Sequence, residues 1–389
     1  MKISIATMNQ AHQLLLARSL QERNFLETLY CCLPPSFLAK KGLDLHHCRT
    51  DYLAGALNYL QRFGSTSFRS WQEPWHKIVF DWRLSRTPFD SDVLLTISSV
   101  ATLAGKAAKR QGALWVVDRP CAHISLQDSL LREEFEINGQ KWSGISKWIV
   151  DRELEEYESA DRILVGSQVA KKSFLDRGIA EERLWTLHFP IDLSRFYPEG
   201  EPDPGIFTVL YVGQKSFRKG MRYLIEAFRL LDVERKQLLL VGSSTDQTRA
   251  LVHASAEFGV VDVDSVAHDE LRGIMSKSHV LVLPSIEDGF GMVVPQAMAC
   301  GCPVIVSENA GAADVVEEGV NGYVTPVRDS EALAEKLQLI ASDGELRSTL
   351  SRNARASALK AAGLDSYCDS FLSLCLAARS TNLPLEQTG

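Results

Sequence analysis

Short apolar runs alternate with helical patterns along almost the whole chain, and this alternation limits the fold more than any other feature. The runs that resemble buried strands are Lys2–Thr7, Val93–Ser98, Leu114–Val117, Arg162–Gly166, Leu184–Leu187, Thr208–Val212, Gln237–Val241, His279–Leu283 and Pro303–Ser307. Nearly continuous apolar strands between helices are typical of parallel sheets that are covered on both faces. The sequence therefore predicts an α/β protein with doubly wound sheets.

A turn-rich stretch divides this pattern into two halves. Phe196–Gly205 reads FYPEGEPDPG, and its three prolines and two glycines mark a linker, after which the strand and helix alternation starts again. A chain of 389 residues is long enough for two ordinary domains. We expect a first domain over residues 1–195 and a second over residues 200–365.

Composition and charge limit the partners and the compartment. The net charge of −7 argues against nucleic-acid binding. The start, MKISIAT, has no pattern of a secretory leader, no apolar run reaches the length of a membrane span, and the eight cysteines have no zinc-site spacing. These features predict a reduced, cytoplasmic protein.

The charge is distributed unevenly between the two halves. Residues 1–190 contain 24 Lys and Arg against 22 Asp and Glu, and the remaining residues contain 18 against 27. A more basic first half is compatible with peripheral contact with an anionic inner membrane face, but ordinary scatter between two domains is the favoured interpretation.

The segment Leu283–Val306 carries the clearest chemistry. Its sequence, LPSIEDGFGMVVPQAMACGCPVIV, predicts a buried strand, a glycine turn, a short helix opened by Pro295 and a second buried strand. The turn places Asp288 beside glycines and the start of a helix, where free N–H groups attract anions and a ligand can come close. An acid next to an anion site suggests a ligand with both phosphate and hydroxyl groups, such as a sugar nucleotide.

The same segment resembles the donor-site motif of family-4 retaining glycosyltransferases, which have the GT-B fold. The matching residues are Pro284, Ser285, Gly289, Phe290, Gly291, Ala297, Met298, Ala299, Gly301, Pro303 and Val304. Asp288 and Gln296 replace the two glutamates of the family's E-x7-E pair. The resemblance implies two Rossmann-like domains that face a central cleft, with a C-terminal helix at about 366–380 that packs back on the first domain.

A second stretch, YVGQKSFRKG, resembles the part of the family that binds the donor diphosphate. Gly213, Lys219 and Gly220 match, Gln214 replaces the usual arginine, and Arg218 is a candidate substitute for it. Fixed cations would stabilise the charge that develops on the leaving diphosphate. The alternative is a solvated basic helix start, although cations are unusual there without an anion.

The resemblance assigns further residues to the donor. Asp288 would accept hydrogen bonds from the sugar hydroxyls. Gln296 would form a hydrogen bond with a ribose hydroxyl, and a solvent-facing helix position is the alternative for this residue. The donor-binding candidates are Gly213, Gln214, Gly242, Gly289, Phe290, Gly291, Met292 and Gln296. Gly242 also fits a plain turn.

The first domain offers fewer candidates. His123 and Arg119 follow the strand LWVV, at the edge of a parallel sheet where ligands bind. Family members often carry a histidine there, so His123 would contact a sugar hydroxyl or position the acceptor, and Arg119 would bind an anionic acceptor. Structural packing is the alternative for both. His12, after the first strand, is a further acceptor-side candidate.

One motif is interpreted as a decoy. Asp262–Asp264 spells the D-x-D that holds a metal in the other large glycosyltransferase fold, but we expect a solvated turn here. Because Lys219, Arg218 and a helix N-terminus would neutralise the diphosphate in place of a metal, we predict no metal site and no cofactor besides the donor substrate.

These observations lead to one main hypothesis and two alternatives. The main hypothesis is a retaining glycosyltransferase that moves a hexose from a nucleotide-diphosphate sugar to a hydroxyl of a glycan, a lipid-linked glycan or a small molecule. The altered E-x7-E pair motivates the first alternative, a non-catalytic GT-B module that binds a nucleotide sugar or a protein partner. The second is another nucleotide-sugar enzyme, such as a hydrolase or an epimerase.

Overall fold

The computed structural model describes residues 1–8, 12–60, 66–360 and 363–382. Within these residues the strands form two sheets. The first sheet has the order β3-β2-β1-β4-β5-β6-β7 and consists of β1 (Ile3–Ala6), β2 (Leu26–Cys31), β3 (Cys48–Thr50), β4 (Val93–Ile97), β5 (Leu114–Arg119), β6 (Arg162–Val165) and β7 (Leu184–Thr186). All its neighbouring strands run parallel.

The second sheet is built in the same way. It has the order β10-β9-β8-β11-β12-β13 and consists of β8 (Phe207–Val212), β9 (Lys236–Val241), β10 (Val260–Val263), β11 (Val280–Leu283), β12 (Val304–Ser307) and β13 (Gly322–Thr325). Its neighbouring strands are also parallel. Two parallel sheets in series confirm the predicted α/β architecture.

Helices connect the strands and cover the sheets. Those of the first domain are α1 (Gln13–Glu22), α2 (Pro35–Lys40), α3 (Tyr52–Leu60), α4 (Thr66–Leu84), α5 (Thr102–Arg110), α6 (Ile124–Ile137), α7 (Lys147–Ser159) and α8 (Gln168–Leu175). Those that follow are α9 (Met221–Leu230), α10 (Asp246–Ala254), α11 (His268–Ser276), α12 (Val293–Ala299), α13 (Ser330–Ser342), α14 (Gly344–Lys360) and α15 (Leu364–Asn382). In the described part of the chain, no helix is both long and apolar enough to cross a membrane.

Four strands were not predicted from the sequence. Strands β2, β3, β10 and β13 are short or alternate polar with apolar residues, so they lack the continuous apolar run that marks a central strand. The D-x-D segment is one of them. Its Asp262 lies on edge strand β10, so the expected solvated turn was wrong.

The order of the strands determines where a ligand can bind. In the first sheet the order reverses between β1 and β4, and in the second between β8 and β11. At such a switch point the loops that follow the two strands lead to opposite faces of the sheet and leave a crevice at the carboxyl edge. The fold therefore directs attention to the loops after β1, β4, β8 and β11.

Helix α15 returns the chain to the first domain. Tyr367, Phe371 and Cys375 are fully or almost fully buried and belong to the same apolar cluster as β1, β2 and α1. The ring of Phe371 meets the ring of Trp185, on β7, edge to face at 6.4 Å between centroids. The last described helix is thus part of the core of the first domain.

We expect Phe371→Ala to destabilise the first domain by about 3–5 kcal/mol, because it leaves a cavity beside Trp185. The matched control is Leu376→Ala on the same helix, where the side chain is 54% exposed and the loss should stay within about 0.5 kcal/mol. Differential scanning calorimetry of both variants measures the effect. Equal losses would contradict the burial of α15.

Candidate active site

The carboxyl edges of the two sheets face each other and touch at the turn after β11. A Cβ on Gly289 would lie 1.8 Å from the carbonyl oxygen of Pro120, in the loop after β5. Ser167, after β6, donates its hydroxyl to the Gly289 carbonyl at 2.8 Å. Only glycine permits so close an approach of two backbones. The glycine turn that the sequence singled out therefore lies at the junction of the domains.

Glycines also bring the loops after β8, β9 and β11 together. A Cβ on Gly220 would lie 1.9 Å from the carbonyl oxygen of Pro284, and one on Gly242 would lie 2.1 Å from that of Gly213. Gly213 and Gly242 have φ angles of +146° and +133°, which side-chain-bearing residues rarely adopt. This packing holds the residues after β8 against the turn after β11.

The result is an ion pair between two of the predicted catalytic residues. The Lys219 ammonium donates to the carboxylate of Asp288, and the two side chains are 20% and 12% exposed. An ammonium has three N–H donors, so Lys219 retains donors for a second anion. The structure thus brings the predicted cation and the predicted acid together at the switch point of the second sheet.

Arg218 is engaged differently from its prediction as a phosphate fork. Its Nε donates to Glu287 at 2.9 Å, and its Nη2 donates to the sulfur of Cys121 across the domain junction at 3.3 Å. Burial raises the pKa of the Cys121 thiol, so this sulfur is a protonated thiol and not a thiolate nucleophile. Two sides of the Arg218 guanidinium are therefore already occupied within the protein.

Glu287 is the residue that the sequence analysis missed. It is 2% exposed and accepts from the Ala122 amide at 3.0 Å, from the Gln127 side chain at 2.8 Å and from Arg218. A buried carboxylate needs such donors to offset its lost hydration. The only signal in the sequence was an acid directly before Asp288. Glu287 joins the loop after β11 to the start of α6 in the first domain.

The structure places His123 and Arg119 inside the first domain. His123 is 4% exposed, packs its ring 5.0 Å from those of Tyr157 and Phe174, and caps α6 by accepting from the Ser125 amide. Burial lowers the pKa of His123 to about 4, so it is neutral near pH 7. These contacts correspond to the packing alternative, and a contact of His123 with a sugar hydroxyl or the acceptor stays a prediction.

Arg119 has a similar environment. The whole residue is 7% exposed. Its guanidinium donates hydrogen bonds to Glu153, to the Gln127 side chain and to the Ala122 carbonyl. These three partners lie within the first domain, so Arg119 orders the loop that Glu287 also contacts. The predicted contact of Arg119 with an anionic acceptor stays a prediction.

His12 lies close to the junction. Its Nε2 is 2.7 Å from the Asp118 carboxylate, and its ring stacks on Phe189 at 3.9 Å between centroids. Phe189 meets Phe290, of the glycine turn, at 5.5 Å. His12 is thus linked to the turn through two aromatic rings. Residues 9–11 of its loop lie outside the described residues.

The remaining donor candidates surround the turn. Gln214 is exposed, and its carbonyl accepts from the Tyr211 hydroxyl at 2.7 Å. Met292 and Gln296 are partly buried. Helix α12 begins at Val293, two residues before the expected opening at Pro295. Pro295 is thus the third residue of α12 and lies in its first turn, where a backbone N–H has no partner within the helix and a proline can be accommodated.

The D-x-D segment serves a charge that the sequence did not identify. Lys215 has a side chain that is 1% exposed, and its ammonium bonds to Asp262 and to the Val263 carbonyl. Asp262 therefore neutralises a buried lysine beneath the loop after β8. No group of side chains suited to hold a metal ion occurs among the described residues.

Comparisons with known proteins agree with this geometry. Residues 198–357 match the family described as glycosyl transferases group 1. The chain is similar to D-inositol 3-phosphate glycosyltransferase of Saccharomonospora viridis, with 28% identity over 220 residues that cover 50% of this chain and 51% of that protein. The chain spans about half the length of the curated relatives it matches.

Solved structures extend the likeness to almost the whole chain. Sucrose-phosphate synthase from Thermosynechococcus elongatus has a TM-score of 0.73 at 21% identity, over 98% of this chain and 100% of that one. Anabaena HepE in complex with UDP has a TM-score of 0.70 at 17% identity, over 97% and 100%. Residues 198–357 are therefore similar to the group 1 glycosyl transferases, and the chain as a whole has the predicted GT-B fold.

Proposed function

We propose that the protein is a retaining glycosyltransferase that transfers a hexose from a nucleotide-diphosphate sugar. The observation that carries this proposal is the Lys219–Asp288 pair, held by glycine packing at the switch point of the second sheet. A cation for the diphosphate and an acid for the sugar hydroxyls stand side by side there. The similarity to group 1 glycosyl transferases supports the same reaction.

In the proposed reaction the bond between the anomeric carbon and the diphosphate oxygen breaks, and a bond from that carbon to an acceptor hydroxyl oxygen forms on the same face. The hydroxyl proton passes to the leaving diphosphate. Lys219 stabilises the negative charge that grows on this diphosphate, and it is most effective in the transition state. Because fixed cations do this work, we propose that transfer needs no divalent ion.

Donor binding changes the partners of Lys219 and Asp288. The diphosphate competes with the carboxylate for the ammonium, and Asp288 then accepts hydrogen bonds from the sugar hydroxyls. Gln296 would contact the ribose, and Met292, the N-cap residue of the same helix, would also contact the donor. Arg218 and Glu287 act in this proposal as positioning residues, because both connect the turn to the first domain.

The acceptor has a separate place in the proposal. A cavity of about 670 Å³ opens at the carboxyl ends of β1, β2 and β3, where Met8 and Pro34 are among the lining residues. Tyr52 and Tyr59 also line it and are 69% and 57% exposed. Exposed aromatic rings suit the apolar faces of sugars. We therefore assign this cavity to a glycan or lipid-linked acceptor. A peripheral contact with a membrane stays a prediction.

The non-catalytic module is the second candidate. Its motivation in the structure is that each cation near the turn already has a carboxylate partner, Lys219 with Asp288 and Arg218 with Glu287. Such a module would bind a nucleotide sugar without turnover.

The first test is Lys219→Ala, assayed by thermal shift with nucleoside diphosphates and their sugars and by consumption of the stabilising donor. We expect weaker donor binding and a rate that falls roughly 100- to 1,000-fold, since a fixed charge on the leaving group is lost. Arg229→Ala, an exposed cation on α9, is the control. A chelator should leave the wild-type rate unchanged.

Each outcome discriminates between the readings. Donor binding without turnover would favour the non-catalytic module, and donor consumption without an acceptor would favour a hydrolase. Loss of turnover on chelation, with recovery on addition of one metal, would refute the proposed charge stabilisation.

A second test addresses Glu287 as a positioning residue. We expect Glu287→Gln to lower stability by roughly 1–3 kcal/mol, because the buried donors of Ala122 and Gln127 and the Arg218 charge lose their carboxylate. Removing the charge as well, in Arg218→Met/Glu287→Gln, should recover part of that loss. The control is Glu226→Gln, which breaks a pair that is about 40% exposed on both sides and should cost under about 1 kcal/mol. Strictly additive losses in a calorimetric double-mutant cycle would contradict the coupling.

A further inference from the structure

A second polar cavity lies at the opposite edge of the second sheet from the candidate active site. Its volume is about 640 Å³, and it opens where β11 and β12 begin, next to His279 and Pro303. One wall is the segment that joins the domains, from Pro198 to Pro204, and another is α14. The carboxyl-edge loops that carry Lys219 and Asp288 contribute none of its lining residues.

Three arginines of α14 line this cavity: Arg347, Arg352 and Arg355. Among the described residues, none of them has a carboxylate within ion-pair distance. Other arginines of this domain do have a carboxylate partner, for example Arg218, Arg222, Arg249, Arg272 and Arg328. Residues 191–389 contain 18 Lys and Arg against 27 Asp and Glu, yet these three arginines line one cavity without a carboxylate partner among the described residues.

The arginines are held in place but keep free donors. Nη1 of Arg347 donates to the carbonyls of Ile340 and Ala341 at 2.9 and 3.3 Å. Nη1 of Arg355 donates to those of Ala299 and Phe196 at 2.5 and 3.3 Å. The Nε and Nη2 groups of both have no partner among the described residues, and a guanidinium carries five N–H donors.

Arg352 and His279 also carry hydrogen-bond donors and line the cavity. Nη2 of Arg352 meets only the Thr349 hydroxyl, at 3.2 Å, within the described residues. His279 is 5% exposed, and its Nδ1 accepts from the Thr208 amide at 3.0 Å, which places the proton on Nε2. Burial lowers the pKa of His279 to about 4, so the ring is a neutral donor near pH 7.

We propose that this cavity binds the phosphate group of a small molecule. Guanidinium groups match phosphate oxygens in a fork geometry, and a buried imidazole N–H adds a fixed donor. Glu201 is the single carboxylate among the lining residues, and it leaves a net positive charge in the cavity. Arg355 also contacts both the domain linker at Phe196 and the last residue of α12, Ala299, so an occupant would touch elements that reach the donor turn.

The test uses inorganic pyrophosphate as the probe, in isothermal titration calorimetry at constant ionic strength. Because the donor site also attracts diphosphates, the parent protein is Lys219→Ala. We expect it to bind pyrophosphate, and Lys219→Ala/Arg352→Ala to bind roughly tenfold more weakly or worse, since a charge-assisted contact is lost. Arg352 is exposed, so its removal leaves the fold intact.

The control is Lys219→Ala/Arg249→Ala, which removes a paired, exposed arginine of α10 and should bind as the parent does. No pyrophosphate binding by the parent would overturn the proposal. An equal loss in the Arg249 control would also overturn it, because it would indicate a general charge effect. The proposal does not rest on the glycosyltransferase assignment, and its failure would leave the Lys219 test unaffected.

Discussion

The turn after β11 packs backbone to backbone against the loop after β5, and the candidate active site depends on this contact. Gly289 has no room for a side chain beside Pro120, and Gly220 has none beside Pro284. These approaches fix the relative positions of three loops from two domains. Asp288 and Lys219 each directly precede one of these glycines, so the packing of Gly289 and Gly220 brings the two side chains together. The geometry of the site is thus a consequence of glycine placement.

Charge pairing adds a second layer to this arrangement. Lys219 and Asp288, and Arg218 and Glu287, form two ion pairs at the same junction. The first pair is reachable from the cleft, while the acid of the second is almost fully buried and bonded to the first domain. A diphosphate can therefore exchange with Asp288 at Lys219 more easily than with Glu287 at Arg218. The two pairs have different physical roles, one for ligand exchange and one for domain contact.

The sequence predicted those parts of the molecule that depend on local order. The α/β alternation and the GT-B fold followed from apolar runs and from the motif that ends at Val304. Strands β2 and β10 did not follow, because an edge or alternating strand has no distinctive apolar run. The contacts of Gly289 with the first domain were not predicted either, because a local sequence pattern does not contain residues that are distant along the chain.

The site contacts that the sequence did not predict join residues that are distant along the chain. Arg218 was matched to phosphate because Glu287 and Cys121 approach it only in three dimensions. His123 was matched by its place after a strand, but its ring turns inward onto Tyr157 and Phe174. The cavity with Tyr52 and Tyr59 was not predicted, because it combines the ends of three strands. The arginines of α14 do not stand out in the sequence, because their separation from carboxylates exists only in three dimensions.

The most direct test of the central claim is a crystal structure of the protein with the nucleoside diphosphate sugar that stabilises it most. The account predicts the diphosphate against the Lys219 ammonium, Asp288 released toward the sugar hydroxyls, and Glu287 still bonded to Arg218 and Ala122. A diphosphate bound away from Lys219, or a Lys219–Asp288 pair that stays closed around an occupied site, would contradict it.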